Sequence, residues 1–284
     1  MRVLILGASG MLGNAMVRIL SENIDWHVYG TLRSEGSKRF FSDKIAGQLI
    51  SGIDVENNDS LMQAFIHSCP DVVINCVGLI KQLADADDPL QAIPINSLLP
   101  HRLARLCKLS GARLIHMSTD CVFSGNKGGY LETDPSDAID LYGKSKFLGE
   151  VSYRHSVTLR TSIIGHELQS RHGLINWFLA QDKQCKGFTQ AIFSGLPTVV
   201  LAKIIRDVVI PDEDLSGVYH VASHPISKYN LLKLVADIYG KPIDIEPDDK
   251  LKIDRSLNAE RFKNKTGYEI PDWPELIKSM HAYS

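Results

Sequence analysis

The stretch Val3-Leu4-Ile5-Leu6-Gly7-Ala8-Ser9-Gly10-Met11-Leu12-Gly13 decides the fold. Four apolar residues make a buried strand, a glycine turn follows, and Met11–Leu20 carries the apolar period of a helix. Gly7 permits the tight turn, Gly10 lets backbone approach a pyrophosphate, and Gly13 allows close helix–strand packing. The N–H groups from Ser9 through Met11 and Leu12, at the helix start, face a bound phosphate with the positive end of the helix dipole. A triple-glycine pattern is weak alone; strand before and helix after is the context that gives it meaning.

Outward from this unit, Val- and Ile-rich strands alternate with helical patterns. Strands are expected at His27–Thr31, Gln48–Ile53, Val72–Asn75, Arg113–Met117, Thr158–Arg160 and Val218–Val221. Helices are expected at Leu61–His67, from Pro89 to about Leu109, at Leu141–Tyr153, Leu174–Gln181, Leu201–Ile210 and Tyr229–Tyr239, with a turn at Gly195–Thr198. This alternation predicts an α/β fold, a doubly wound parallel sheet of Rossmann type with a smaller C-terminal α/β substrate-binding lobe. The division reads as 1–165 plus 197–221 for the nucleotide-binding part and 166–196 plus 222–284 for the lobe.

Bulk properties narrow the setting. The 284 residues are 44% hydrophobic and 23% charged, with a formal net charge of −2, which gives no general attraction to nucleic acid or an anionic membrane. The five cysteines form no CxxC pair, so neither a disulfide framework nor a structural zinc site is expected, and no metal. Gly7 ends the first apolar run too early for a secretory leader, and no run approaches the roughly 20 residues of a membrane span. The expectation is a cytoplasmic protein. No interface signature is legible, which leaves a homodimer open.

His27–Thr31 ends without the acidic residue that would bind a ribose 2′-hydroxyl. Arg33 stands there instead and can pair with a 2′-phosphate, which favours NADP, with NADPH preferred over NADH. A solvated surface arginine is the other reading.

Tyr142-Gly143-Lys144-Ser145-Lys146 places Tyr142 and Lys146 four apart on one helical face. An ammonium beside a phenol is expected to lower its pKa and suit it to proton transfer. Lys146 can also reach the nicotinamide ribose. Arg113–Met117 runs into Ser118-Thr119-Asp120, beyond a strand C-terminus, where α/β sheets place ligands.

The G-x-x-G-x-x-G spacing resembles the extended short-chain dehydrogenase/reductase superfamily. Within it, Asp54-Val55 resembles the pair contacting adenine, Cys76-Val77-Gly78 resembles the small-residue loop beside the adenosine ribose, and the resemblance makes Thr119 a third catalytic residue. Ser118-Thr119-Asp120-Cys121-Val122-Phe123-Ser124-Gly125, Tyr130-Leu131-Glu132, Tyr142 through Glu150, Leu159-Arg160-Thr161-Ser162 and Gly195-Leu196-Pro197-Thr198 resemble the dTDP-4-dehydrorhamnose reductase family. That resemblance implies NAD(P)H reduction of a 4-keto group on a nucleotide-linked 6-deoxy sugar, with dTDP or UDP as the nucleotide. It implies Thr119 and Tyr142 on the ketone oxygen, Asp120 orienting a sugar hydroxyl, and Arg255 on the diphosphate. Trp177 is a candidate for the sugar pocket or a core aromatic, and Lys81 a candidate for the diphosphate or an exposed loop lysine.

Departures from the pattern leave rivals. Sugar-nucleotide 4,6-dehydratases carry Asp-Glu where this chain has Asp120-Cys121, which disfavours elimination. In GDP-fucose synthase, an epimerase-reductase, a Cys at that place works with a His; His166 falls near where that His would stand, and a buried inert thiol is the plainer reading. A non-catalytic NADP-binding regulatory protein, such as the regulatory subunit of methionine adenosyltransferase, resembles the same family.

Overall fold

The computed structural model describes residues 1–80, 87–169 and 173–283. Its centre is a parallel sheet of seven strands: β1 (Arg2–Leu6), β2 (His27–Thr31), β3 (Leu49–Ile50), β4 (Val72–Asn75), β5 (Arg113–Thr119), β6 (Ser156–Thr161) and β7 (Gly217–His220). They pair in the order β7-β6-β5-β4-β1-β2-β3. The chain runs outward from β1 through β2 to β3, then returns to β4 on the other side of β1. Helices therefore leave β1 and β4 on opposite faces, and a crevice opens beyond their C-terminal ends. Gly7 ends one strand and Cys76 the other, and Cys76 N donates to Leu6 O at 3.1 Å.

The strand pleat sorts the core. Val3 and Ile5 pack with Met16, Val17 and Leu20 of helix Met11–Leu20, in a cluster that continues to Leu201, Phe262, Trp273 and Leu276. Leu4 and Leu6, on the other face, pack with Leu61, Phe65, Leu99 and Leu103. Strands buried on both faces explain the continuous apolar runs of β1 and β4.

Outside the central sheet, Ala191–Phe193 pairs with Ile226–Ser227 on one side and Ile253–Asp254 on the other. Gln184–Phe188 pairs in parallel with Asp244–Asp248. Helices Lys228–Ile238, Glu260–Thr266 and Trp273–His281 accompany these strands.

Several elements differ from expectation. The third strand contracts to Leu49–Ile50. The helix after Asp140 stops at Leu148. The stretch from Pro89 is not one α-helix: a single α-helical turn at Pro89–Ala92 and an α-helix at Leu99–Ser110 flank a π-helical segment, Ile93–Leu98. Pro94 has no N–H for the regular i−4 bond, and the wider turn accommodates it. Helix Thr198–Ile204 likewise passes into a π segment at Ile205–Val209. Leu196–Pro197, expected as a turn, pairs in parallel with Ile163–Ile164; this long-range pairing overrides the local Gly-Pro signal.

Candidate active site

The glycine turn forms a cradle with no side chain at Gly7, Gly10 or Gly13. Gly7 has φ +84°, a left-handed conformation that a β-carbon would strain. A β-carbon on Gly13 would collide with the Gly7 carbonyl, so this glycine lets the helix sit on the turn. Thr31 fixes the turn from β2: its Oγ1 accepts from Gly7 N at 3.1 Å and its carbonyl from Ala8 N at 3.0 Å. Gly10 is the N-cap of helix Met11–Leu20 and offers no side chain to the first-turn N–H groups, which Ser9, Met11 and Leu12 flank. An anion fits this bare helix start.

The other expected cofactor residues border the same crevice. Leu32 N donates to Ile50 O and Ile53 N to Leu32 O, so Arg33 and Asp54, the next residues, emerge beside one another. Both are exposed. Asp54 Oδ1 accepts from Glu56 N, and Ser60 Oγ accepts from Asp54 N, which holds Asp54-Val55 in a defined turn. Across the crevice, Cys76-Val77-Gly78 leaves β4. Val77 N donates to Asn75 Oδ1 at 3.1 Å, and a β-carbon on Gly78 would stand 3.4 Å from Asn96 Oδ1 and 3.7 Å from Lys146 Nζ. Lys81 lies outside the described residues.

Asp140 caps helix Leu141–Leu148 by accepting from Gly143 N at 2.8 Å, and so sets Tyr142 in the first turn with Lys146 one turn later. A β-carbon on Gly143 would collide with the Cys121 carbonyl, and one on Gly149 with the Asn96 carbonyl. The helix is thus pressed against the turn after β5 and against the π segment. That closeness brings the Tyr142 phenol beside the Thr119 side chain. Lys146, 6% exposed, donates from Nζ to Met117 O at 2.7 Å.

The electrostatics differ in one respect from expectation. The Tyr142 pKa is raised, not lowered: burial is the main cause, the Cys121 and Asp120 side chains add to it, and the Thr119 side chain opposes it. The phenol is held protonated. Burial lowers the Lys146 ammonium to about 8, with Glu150 and Cys76 opposing.

Asp120 is buried beside Thr119, whose Oγ1 donates to Asp120 Oδ1 at 3.2 Å. Burial raises the Asp120 pKa against the nearby Arg255 and Lys228 cations. Arg255 is anchored by Nε to Phe123 O at 2.8 Å. The expected Arg255 therefore reaches this cluster, and Lys228 joins it without having been expected. Cys121 is pushed up to about 12, chiefly by burial, with Asp120 adding to the rise.

Two of the readings left open do not fit. His166 is not brought to Cys121: its Nε2 lies 2.9 Å from Tyr239 Oη, and it borders a small cavity with Asn14, Arg18, Thr198 and Tyr283. The residue beyond Gly165 turns toward helix Met11–Leu20. Trp177 is no core aromatic; it stands 39% exposed on its helix while Ile175 and Phe178 face inward.

Sequence reading also missed Asn96. Its Oδ1 accepts from Leu79 N at 2.9 Å and its Nδ2 donates to Leu79 O and to Ser145 Oγ, tying the Gly78 loop to the Tyr142 helix. A buried asparagine inside a proline-interrupted helix was the available signal. A separate cavity of about 350 Å³, lined by Ser223, Leu257, Phe262 and Tyr268 among others, holds none of these groups.

A dTDP-4-dehydrorhamnose reductase of Aggregatibacter actinomycetemcomitans is 24% identical over 100% of this chain and 99% of its own length. The methionine adenosyltransferase 2 subunit beta of Xenopus tropicalis is 26% identical over 97% of this chain and 88% of its own. Among solved structures, a dTDP-4-dehydrorhamnose reductase of Bacillus anthracis in complex with NADP superposes with a TM-score of 0.80 at 21% identity, covering 100% of this chain and 99% of that one. The family model described as the RmlD substrate binding domain matches residues 1–282. A glycine cradle at the β1–β4 crevice, a Thr-Tyr-Lys group facing it and a match along nearly the whole chain place this protein in the RmlD substrate-binding-domain family.

Proposed function

We propose that this protein is an NADPH-dependent reductase of the 4-keto group of a dTDP- or UDP-linked 4-keto-6-deoxy sugar. The observation that carries the reading is the Thr119–Tyr142 hydroxyl pair at the end of β5, with Lys146 one turn away and beside Gly78. NADPH, when bound, supplies the hydride.

The chain's own residues do the rest. Gly7, Ser9, Gly10, Met11, Leu12 and Gly13 offer the pyrophosphate a bare helix start. Arg33 meets the 2′-phosphate, Asp54 and Val55 the adenine side, and Cys76, Val77 and Gly78 a ribose. Lys146 has N–H donors beyond the one given to Met117 O and directs them to the nicotinamide ribose. Thr119 and Tyr142 bind the ketone oxygen, and Tyr142 releases its Oη proton as that oxygen becomes an alkoxide. A phenol kept protonated by burial enters this step loaded. Arg255 supplies positive charge for the substrate diphosphate, Asp120 orients a sugar hydroxyl, and Trp177 lies on the sugar side, so 166–196 and 222–284 form the substrate lobe.

Similarity to a methionine adenosyltransferase subunit supports a second reading, a cofactor-binding regulatory protein. Nothing in that role requires Thr119, Tyr142 and Lys146 to stand together at the end of β5, so the reductase is preferred. The test follows NADPH consumption with dTDP- and UDP-linked 4-keto-6-deoxy sugars, with product configuration read by NMR. Turnover with one of them is expected, and Arg33→Ala should cut the preference for NADPH over NADH about tenfold. NADPH binding with no turnover on either sugar would favour the regulatory reading.

A further inference from the structure

Three consecutive residues at the end of β5 are each held by the same downstream segment. Thr119 stands beside the Tyr142 phenol, the Met117 carbonyl accepts from Lys146 Nζ at 2.7 Å, and Ser118 Oγ donates to Glu150 Oε1 at 2.7 Å. Tyr142, Lys146 and Glu150 follow one another at intervals of four. The first two lie on the helix, and Glu150 lies just beyond its end, after Gly149. Glu150 is therefore the third anchor of the segment that carries the proton donor.

Its surroundings are built. Arg160 of β6 grips it with two bonds, Nε to Oε1 and Nη2 to Oε2, both 2.7 Å, and the two side chains are 4% and 6% exposed. The Arg160 guanidinium also lies over the Phe123 ring at 5.2 Å, with its Nη1 3.3 Å from His220 Nε2. A buried ion pair of this kind gives little net stability over a well-packed apolar substitute. It does place a negative charge one helical turn from Lys146.

The neighbours of Lys146 come from several elements. Cys76, after β4, is a thiol pushed up to about 12 by burial. His116 on β5 is held well below its ordinary pKa by burial, with Lys146 and His101 adding to the shift, and so is neutral. Tyr142 is protonated, and His220 on β7, which faces Arg160, is lowered to about 4 mainly by burial. Glu150 is the neighbouring group that favours the Lys146 ammonium most strongly.

We propose that Glu150 is a positioning residue of the reductase centre, holding Tyr142 and Lys146 in register with Met117–Thr119 and supplying the negative charge that balances Lys146. This rests on the reductase reading for the roles of Tyr142 and Lys146.

Glu150→Gln keeps the size and removes the charge. Without that charge the ammonium is less favoured, so the alkaline limb of kcat/KM moves to lower pH by about one unit, and kcat/KM at about pH 8 falls roughly fivefold. Ser118→Ala removes one hydrogen bond to Glu150 but no charge, and leaves the limb in place. Because Glu150→Gln alone strands a buried guanidinium, the double variant Glu150→Gln with Arg160→Gln is measured beside it, with a smaller shift in the same direction expected, since a positive charge leaves with the negative one. NADPH affinity against pH, read by fluorescence with no sugar present, follows the same ionisation. That arm stands even if no sugar nucleotide is turned over. A limb and an affinity curve unmoved in both Glu150 variants, with only thermal stability reduced, overturn the proposal.

Discussion

Tyr142 and Lys146 illustrate how burial changes the chemistry a motif is expected to perform. In a solvated helix the ammonium would be the dominant influence on the phenol. Here desolvation dominates and the phenol pKa rises, because an anion in a poorly solvated site is costlier than a neutral phenol. For a ketone reduction this is the useful direction, since the group must deliver a proton. Tyr142→Phe removes that proton and leaves the cradle untouched. Its kcat should fall on the order of 10²- to 10⁴-fold, with NADPH dissociation within about twofold of wild type by fluorescence titration. Wild-type turnover in this variant would discard Tyr142 as the donor.

At the scale of elements, the site depends on how closely one short helix sits. Leu141–Leu148 touches the turn after β5 through Gly143 and the π segment Ile93–Leu98 through Gly149. Asn96, inside that π segment, ties both to the Gly78 loop. Gly143→Ala puts a methyl where the Cys121 carbonyl and the Ala138 side chain already stand. Overpacking of this kind costs about 1–3 kcal/mol, and an ångström of displacement between Tyr142 and Thr119 costs kcat about 10²-fold. Calorimetry and steady-state kinetics on the same preparation check this. A variant with wild-type melting and wild-type kcat would show that the helix has room to shift.

At the scale of the molecule, the sheet buries neutral histidines that water would protonate in mild acid. His220 donates from Nδ1 to Tyr130 O, which leaves Nε2 as the acceptor facing Arg160, and its pKa drops from 6.5 to about 4, mainly by burial. The unfolded chain binds this proton near pH 6.5 and the folded chain does not until about pH 4. Its contribution is therefore complete above pH 6.5 and is lost as pH falls through that window, on the order of 3 kcal/mol. His116 and His166, also lowered by burial, act in the same direction. Urea midpoints taken from neutral pH down to about pH 4 should fall steadily, and His220→Asn should flatten the fall while lowering the neutral midpoint. A wild-type midpoint that stays level over this range would contradict it.

What the sequence by itself determined is local and periodic. A strand, three glycines and a helix in order specify the nucleotide-binding unit, because each glycine answers to a backbone constraint acting within a few residues. The apolar runs specify a parallel sheet, and the Tyr142–Lys146 interval specifies one helical face. What only the tertiary structure decided lies across distant segments. The parting of His166 from Cys121, the arrival of Lys228 beside Asp120, the pairing of Leu196–Pro197 with Ile163–Ile164 and the grip of Arg160 on Glu150 join residues from separate elements. The upward pKa of Tyr142 belongs with them, because desolvation is a property of everything packed around a group, and no spacing along the chain records it.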